Sequence, residues 1–308
     1  MTRTEVLSNP AYSSKLEAYK ELSKFGIVVL VLVTVLGGYL CGHPFEEPLH
    51  VGRLFLTLLG VGALGAGSSA LNQYQERAID ATMPRTAGRP LPSGFLTPAQ
   101  ALNFISVALV LGLGILFWLS TSVGLLGVAA VLSYNILYTL WWKKKWAFAA
   151  VPGAIPGALP ALIGYTAASG QVWTSGGLYL FFILFFWQMP HFWVLALKYK
   201  EDYAAGGFPT LPVAHGLGVT VSQIVVWCLA YVALALGAPL FLRVGSLYLA
   251  ATLIMSLKVL WELRAFVKEP ESKRWLHFFL WVNFSQIVYV GAAVADLWSI
   301  YLIRYFTR

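Results

Sequence analysis

An amide and two carboxylates recur every four residues in the stretch 72–80, as Asn72, Glu76 and Asp80. On an α-helix, this spacing stacks the side chains on one face. Two carboxylates and an amide oxygen are hard ligands that suit Mg²⁺, or Mn²⁺, alongside phosphate oxygens and water. The spacing therefore predicts a metal-binding face formed by Asn72, Glu76 and Asp80.

Two arginines, Arg85 and Arg89, follow this face after Pro84, which we expect to end the helix. Guanidinium groups beside an acid-bound metal neutralise the charge of a diphosphate. The alternative is that these residues are ordinary loop charges that form ion pairs at the surface. We favour a diphosphate site, because polar groups at the end of a long apolar run are functional candidates.

A second polar group contains Gln188 and His191 and continues to Lys198 and Asp202. The first three side chains fall near one helix face once a kink at Pro190 is allowed for. Asp202 adds a carboxylate that we expect to contribute to the metal site. His191 is interpreted either as a hydrogen-bonded core residue or as a functional ligand, and the sequence leaves both interpretations open.

Three consecutive lysines, Lys143, Lys144 and Lys145, end another apolar run. In one interpretation they orient the chain and contact lipid headgroups. In the other, one of them contacts phosphate, and we name Lys143 and Lys144 as the candidates.

The elements that position these side chains are predicted to cross a membrane. The chain of 308 residues is 58% hydrophobic and 11% charged, whereas a soluble domain carries about 25% charged residues. Apolar runs of ~18 residues or more recur along the chain, and each can form a transmembrane helix. We predict nine spans, at roughly 24–41, 52–74, 100–119, 122–142, 147–168, 177–198, 219–242, 246–267 and 277–302. The sequence thus predicts an all-α polytopic membrane protein with nine helices around a central cavity.

The basic residues predict the orientation of these helices. Most Lys and Arg residues fall in the N-terminal tail and in every second loop, so these segments are expected in the cytoplasm and the C-terminus outside. This segregation explains the net charge of +8 without a nucleic-acid partner. It places both polar groups at the cytoplasmic face of a cell inner membrane, where we expect the cavity to open.

The chain has no linker or low-complexity segment, and we interpret residues 1–308 as one domain. In this interpretation residues 1–23 are a cytoplasmic tail. Helical spacing of apolar residues predicts a short amphipathic helix at about 14–24 on the membrane surface.

Together these motifs resemble those of the UbiA-type intramembrane prenyltransferases and, within them, the haem O synthase (protohaem farnesyltransferase) branch. The resemblance extends from about residue 17 to the ninth span. Its most specific stretches are Asn72 to Gly94, with Met83-Pro84-Arg85-Thr86 and Arg89-Pro90-Leu91-Pro92-Ser93-Gly94, then Trp187-Gln188-x-Pro190-His191-Phe192, Asp202-Tyr203-x-x-Gly206 and Leu211-Pro212-Val213.

The resemblance implies transfer of a farnesyl group from farnesyl diphosphate to a vinyl group of haem b, with addition of water, giving haem O and diphosphate. Haem b is then a substrate rather than a resident cofactor. Mg²⁺ is expected on Asn72, Glu76 and Asp80, with Asp202 as a further ligand. The residues expected to contact diphosphate or haem are Arg85, Arg89, Lys143, Lys144, Gln188, His191 and Lys198. Membrane lipids are further partners, as are a haem A synthase or a terminal oxidase.

Three departures from the family pattern bear on the substrate. The second motif usually carries several aspartates, whereas His191 and Lys198 stand there in this chain, which favours haem over a quinone precursor. Leu22-Ser23-Lys24-Phe25-Gly26 stands where a Lys-Pro-Arg is common, so we expect that a basic group usually available there is absent. Trp146 and Ala149 follow the lysines where Thr and Asn are often found.

Two other functions stay open on the sequence alone. One is prenyl transfer by the same kind of enzyme to an aromatic quinone precursor or a chlorin. The other is a cation-coupled membrane transporter that uses the acids as an ion site. A transporter predicts inverted repeats and a polar path across the bilayer, whereas we find no convincing repeat and few charges on the outer side.

Overall fold

Helices form the fold throughout residues 12–306, the range that this computed structural model describes, with side chains as far as Ser299. The helices are α1 (Lys15–Leu22), α2 (Phe25–Gly42), α3 (Val51–Asp80), α4 (Pro98–Leu119), α5 (Thr121–Lys145), α6 (Ala150–Gly153), α7 (Ile155–Ser169), α8 (Ser175–Lys198), α9 (Lys200–Ala205), α10 (Leu211–Leu236), α11 (Ser246–Lys268) and α12 (Arg274–Phe306). A short 3₁₀ turn, Ala238–Leu240, follows α10.

Nine helical segments in the described range are long and apolar enough to cross a membrane. They are α2 to α5, α6 and α7 together, α8, and α10 to α12. The prediction of an all-α polytopic membrane protein with nine spans is therefore confirmed. The central cavity and its opening to one side stay predictions.

The largest differences from the predicted boundaries concern the second and seventh spans. Helix α3 continues to Asp80, beyond the predicted end of the second span at 74, and the acidic stretch is helical as its spacing predicts. The seventh span was predicted at 219–242, but α10 begins at Leu211 and ends at Leu236. Gly216 lies inside it at φ 77° and ψ −174°, a kink that glycine tolerates and that separates the first turns from the apolar run.

The predicted amphipathic helix near 14–24 is present as α1, and it packs against the bundle. Ser14 caps its first turn by accepting from the backbone N–H of Glu17. Leu22 is buried, and Gln73 Nε2 on α3 donates to the carbonyl of Leu22 at 3.2 Å. Leu16, by contrast, is 65% exposed. The end of α1 is thus fixed to α3, immediately before the chain enters α2.

Small residues allow α2 and α7 to touch along their backbones. A Cβ added at Gly38 would meet the carbonyl of Ala161, and one added at Gly164 would meet the carbonyl of Val35. The fifth span is also broken at Ala154, between α6 and α7. Small residues on both helices and the break at Ala154 are therefore features of close packing by a broken helix.

A π-helical stretch, Leu132–Trp142, widens the middle of α5. Its wider turn brings Asn135 and Thr139 onto α3, where both side chains are buried. Asn135 exchanges two hydrogen bonds of 2.8 Å with Ser68, through its Oδ1 and Nδ2 atoms. This stretch is the part of α5 that contacts α3 next to the acidic residues. Its position is consistent with the tendency of π-turns to occur at functional sites.

Candidate active site

The three side chains predicted to bind metal form a buried surface at one end of the bundle. Asn72, Glu76 and Asp80 all lie on α3 and are only 3%, 3% and 1% exposed. Buried carboxylates need partners, because an isolated charge in an apolar interior is strongly unfavourable. The alternative of ordinary surface charges is therefore wrong for these three side chains.

Each member of this face contacts one cation from another segment. Lys143 Nζ lies 2.7 and 2.8 Å from the two carboxylate oxygens of Glu76. Arg89 Nη1 donates to Asp80 Oδ2 at 2.8 Å. Lys24 Nζ donates to Asn72 Oδ1 at 3.1 Å. We call these six residues the acid–cation face.

Lys24 is a cation of this face that the sequence analysis did not name as a site residue. Its side chain reaches Asn72. Its backbone is left-handed (φ 50°, ψ 50°), a conformation that costs about 1 kcal/mol for a non-glycine residue. Burial and the nearby charge of Arg89 lower the pKa of Lys24 to about 8, and Glu76 and Asp80 oppose that shift. The only sequence signal was a lysine directly before the first span.

The donor set fits a small divalent cation. Asp80 Oδ1 is buried and has no hydrogen-bond partner, while the Thr86 hydroxyl donates to the backbone carbonyl of Asp80 at 2.8 Å. Among the described residues, no three His, Cys, Asp or Glu side chains form a ligand cluster. The protein would therefore supply Glu76, Asp80 and the Asn72 amide, and phosphate oxygens and water would complete the shell, as Mg²⁺ prefers.

The loop after α8 lies beside the acid–cation face. Asp202, on the short helix α9, is 3.7 Å from Arg85 Nε, and both side chains are partly exposed, so this ion pair is weak. Burial raises the pKa of Tyr203, which follows Asp202 in the chain. The charge of Arg85 lowers this pKa and the charge of Glu76 raises it. Lys143 Nζ also lies 4.5 Å from the ring centre of Phe208. Asp202 therefore lies near the acid–cation face, and its side chain contacts Arg85.

The other members of the second polar group lie in two different places. Gln188 Nε2 donates to the carbonyl of Ala154 at 3.0 Å and thereby joins α8 to the break in the fifth span. His191 and Lys198 contact α12: His191 Nδ1 is 2.8 Å from Asn283 Oδ1, and Lys198 Nζ is 5.5 Å from the ring centre of Trp275. The structure thus brings these two residues to the α8–α12 seam and not to the acids.

The sequence analysis missed two contacts that the structure shows. Thr139 on the π-helical stretch accepts a hydrogen bond of 3.2 Å from Asn72 Nδ2, and Asn283 pairs with His191. A polar side chain inside an apolar span was the available signal for both. Lys144 is exposed, so the structure favours Lys143 as the lysine that contacts the site.

Buried acids paired with cations at one end of an apolar bundle agree with the resemblance to the UbiA-type prenyltransferases. A family model described as the UbiA prenyltransferase family matches residues 31–284. The chain belongs to the UbiA prenyltransferase family. Its UbiA relatives include the protoheme IX farnesyltransferase of Bdellovibrio bacteriovorus, which is 48% identical over 94% of this chain and 99% of its own length. The enzyme of that name from Aquifex aeolicus is 39% identical over 92% of this chain and 96% of its own length. Within the UbiA family, these relatives place the chain in the haem O synthase branch.

Solved structures show the same UbiA fold. One concerned with digeranylgeranylglyceryl phosphate synthase has a TM-score of 0.75 at 20% identity and covers 92% of this chain and 98% of that one. A UbiA homolog from Archaeoglobus fulgidus bound to DMAPP and Mg²⁺ has a TM-score of 0.64 at 18% identity, covering 90% and 99%. At these identities the likeness concerns the fold.

Proposed function

We propose that the protein transfers the farnesyl group of farnesyl diphosphate to a vinyl group of haem b and, with water, forms haem O and diphosphate. The observation that carries this proposal is the similarity, over nearly the full length of both chains, to relatives named protoheme IX farnesyltransferase. The acid–cation face supplies the groups that a diphosphate substrate requires.

The cations of the face bind and neutralise the diphosphate. Lys24, Lys143 and Arg89 each contact an acid or amide now, at 2.7 to 3.1 Å. A phosphate bound beside these acids would compete for the same three cations. Arg85, held only weakly by Asp202, is the most accessible additional donor. Charge-assisted hydrogen bonds from these groups become stronger as negative charge collects on the leaving oxygen.

Glu76, Asp80 and Asn72 are the residues that would hold Mg²⁺, and the solved UbiA homolog with DMAPP and Mg²⁺ supports this use of a divalent ion. The bound ion supplies charge that stabilises the leaving diphosphate. Asp202, which now pairs with Arg85 at 3.7 Å, is assigned as a further ligand that becomes free when Arg85 turns to phosphate.

The reaction follows from breaking the C1–O bond of the farnesyl diphosphate. Both bonding electrons leave with diphosphate, and an allylic cation remains in a pocket from which bulk water is excluded. The π electrons of the haem vinyl group form the new bond to C1, which leaves a cation on the vinyl carbon beside the porphyrin. Water adds to that carbon and loses a proton, giving the hydroxyethylfarnesyl side chain.

We place His191 and Lys198 on the acceptor side of the reaction. Both lie on the α8–α12 seam, where aromatic rings surround the imidazole: Trp187 at 4.8 Å and Phe279 at 5.0 Å between ring centres. A flat, aromatic, iron-containing acceptor suits such a seam. The Gln188 amide, in contrast, donates to the backbone carbonyls of Ala154 and Leu184. We therefore expect Gln188 to form part of the wall of the site.

The protein is an integral multi-pass membrane protein. We propose that it resides as one domain in the inner membrane, with the acid–cation face, the N-terminus and all even-numbered loops in the cytoplasm. This orientation rests on the positive-inside distribution of Lys and Arg. A haem A synthase or terminal oxidase is the proposed recipient of the product.

Reconstitution in lipid nanodiscs tests this function directly. The purified protein is incubated with farnesyl diphosphate, haem b and Mg²⁺, and extracted haems are identified by mass spectrometry. We expect haem O from the native protein and at least about a hundredfold less from Asp80→Asn. A prenylated aromatic product, formed from a quinone precursor while haem b is left unchanged, would refute the haem assignment and support the rival acceptor.

A further inference from the structure

His191 makes one directional hydrogen bond, and its partner is fixed in orientation. His191 Nδ1 lies 2.8 Å from Asn283 Oδ1. The other end of the Asn283 amide, Nδ2, donates to the backbone carbonyl of Phe279 at 2.6 Å. A carbonyl oxygen only accepts hydrogen bonds, so turning the amide round would put two acceptors against each other. Asn283 therefore presents its oxygen to the imidazole.

An acceptor facing Nδ1 requires that Nδ1 carries the proton. In a neutral imidazole, one nitrogen is a donor and the other has a free lone pair. The lone pair must then be on Nε2, which has no hydrogen-bond partner among the described residues. The ring cannot rotate freely, because it lies between Trp187 and Phe279. Trp187 is itself fixed by its Nε1–H, which donates to the carbonyl of Val282 at 3.0 Å.

We propose that Asn283 is a positioning residue that holds His191 as the Nδ1-protonated tautomer, so that Nε2 acts as a haem-iron ligand or a proton acceptor and not as a proton donor. Metal-binding histidines usually donate their second N–H to a fixed acceptor, which sets the tautomer and orients the ring. The amide plays that part here without adding charge, as suits a site inside the apolar bundle.

The tautomer does not depend on the proposed haem acceptor, but its catalytic consequence does. Two measurements keep them separate. The first is ¹⁵N NMR of the imidazole nitrogens in the haem-free protein, with the signals assigned by comparison with His191→Gln. The second is the haem O assay, run as kcat and KM for haem b.

The variants remove or retain the acceptor at position 283. Asn283→Leu has nearly the same size but no acceptor, whereas Asn283→Asp keeps an oxygen facing Nδ1. Gln286→Leu is the matched control, since it removes an amide from the same helix less than one turn away, and no described contact links Gln286 to His191. Thermal unfolding of all variants identifies any that are misfolded.

We expect the native protein to show a protonated Nδ1 and an unprotonated Nε2 at neutral pH. Asn283→Leu should shift the population toward the other tautomer and lower haem O formation by about tenfold to a hundredfold. Asn283→Asp should keep the tautomer and recover part of the activity, and Gln286→Leu should behave like the native protein.

Two NMR results would overturn the assignment: a native protein that is protonated at Nε2, or an Asn283→Leu variant with an unchanged tautomer. If Asn283→Leu changes the tautomer but leaves kcat and KM intact, the positioning role in catalysis is refuted. If the native protein shows the expected tautomer but makes no haem O, the proposed function fails while the assignment of the hydrogen bond stands.

Discussion

Lys143→Gln is the substitution whose effect the structure defines most sharply. It removes the ammonium group that contacts both oxygens of Glu76, while it keeps a polar side chain of similar length. Counting side-chain atoms alone, Glu76 is 4% exposed and Lys143 is 19% exposed. Without Mg²⁺, the substitution leaves a carboxylate buried without a compensating charge. We expect a clear loss of stability in metal-free buffer.

The magnitude follows from burial. An exposed ion pair contributes at most about 1 kcal/mol, whereas removing one partner of a buried pair costs about 3–5 kcal/mol. Because Lys143 keeps some exposure, we expect the lower end, about 3 kcal/mol. At roughly 2 °C per kcal/mol for a chain of this length, Tm should fall by about 6 °C.

Thermal unfolding in detergent, with a chelator present, measures this loss. Lys144→Gln is the matched control, because Lys144 is an exposed neighbour and should change Tm very little. Glu76→Gln combined with Lys143→Gln should be less destabilising than the sum of the two single changes, as expected for a contacting pair. Adding Mg²⁺ with a non-hydrolysable farnesyl diphosphate analogue should restore much of the Tm of Lys143→Gln, because ligand binding stabilises the folded state.

Equal Tm values for Lys143→Gln and Lys144→Gln in chelator would refute the buried ion pair. Additive effects of the Glu76 and Lys143 substitutions would refute their direct contact. If the analogue with Mg²⁺ stabilises Glu76→Gln as strongly as the native protein, then Glu76 is not a metal ligand.

Three further predictions concern Asp80, Lys24 and the packing of α2 against α7. Asp80→Asn should lower kcat/KM for farnesyl diphosphate by at least about a hundredfold, about 2.7 kcal/mol, and near-native turnover would contradict its metal role. Lys24→Gln should raise the KM for farnesyl diphosphate about tenfold while Lys20→Gln, at an exposed site, should not; equal KM values would show that Lys24 does not contact phosphate. Gly164→Ala should destabilise the fold by about 1–3 kcal/mol because its Cβ meets a backbone carbonyl. Gly114→Ala has open space, so similar Tm values for the two would contradict the close contact of α2 and α7.

Periodicity and apolar length were sufficient to predict the helices and the acidic face. Asn72, Glu76 and Asp80 share one helix, so their relative placement depends only on the helical repeat. The boundary errors arose where local chemistry overrides hydropathy. The kink at Gly216 hid the first turns of α10, and hydropathy ended the second span at 74 because the last turns of α3 are polar.

Contacts between distant segments could not be predicted in the same way. Lys143 and Glu76 are 67 residues apart in the chain, and Lys24 and Asn72 are 48 apart. Nothing in local spacing indicates which of three consecutive lysines faces inward. That choice depends on how the end of α5 packs against α3, where Lys143 contacts Glu76 while Lys144 is exposed.

The charges of the acid–cation face explain why the site needs both its acids and its bases. Glu76 and Asp80 bring two negative charges, and Lys24, Lys143 and Arg89 bring three positive charges. A prenyl diphosphate brings roughly three negative charges near neutral pH, and Mg²⁺ brings two positive ones. The face therefore changes from one net positive charge to about neutral when both bind together. Mg²⁺ alone would add to an excess of positive charge, and diphosphate alone would leave the acids unpaired next to phosphate. In the absence of ligands, the ion pairs with Arg89 and Lys143 neutralise the buried acids. When Mg²⁺ and the diphosphate bind together, Mg²⁺ replaces these cations beside the acids and the cations turn to the diphosphate.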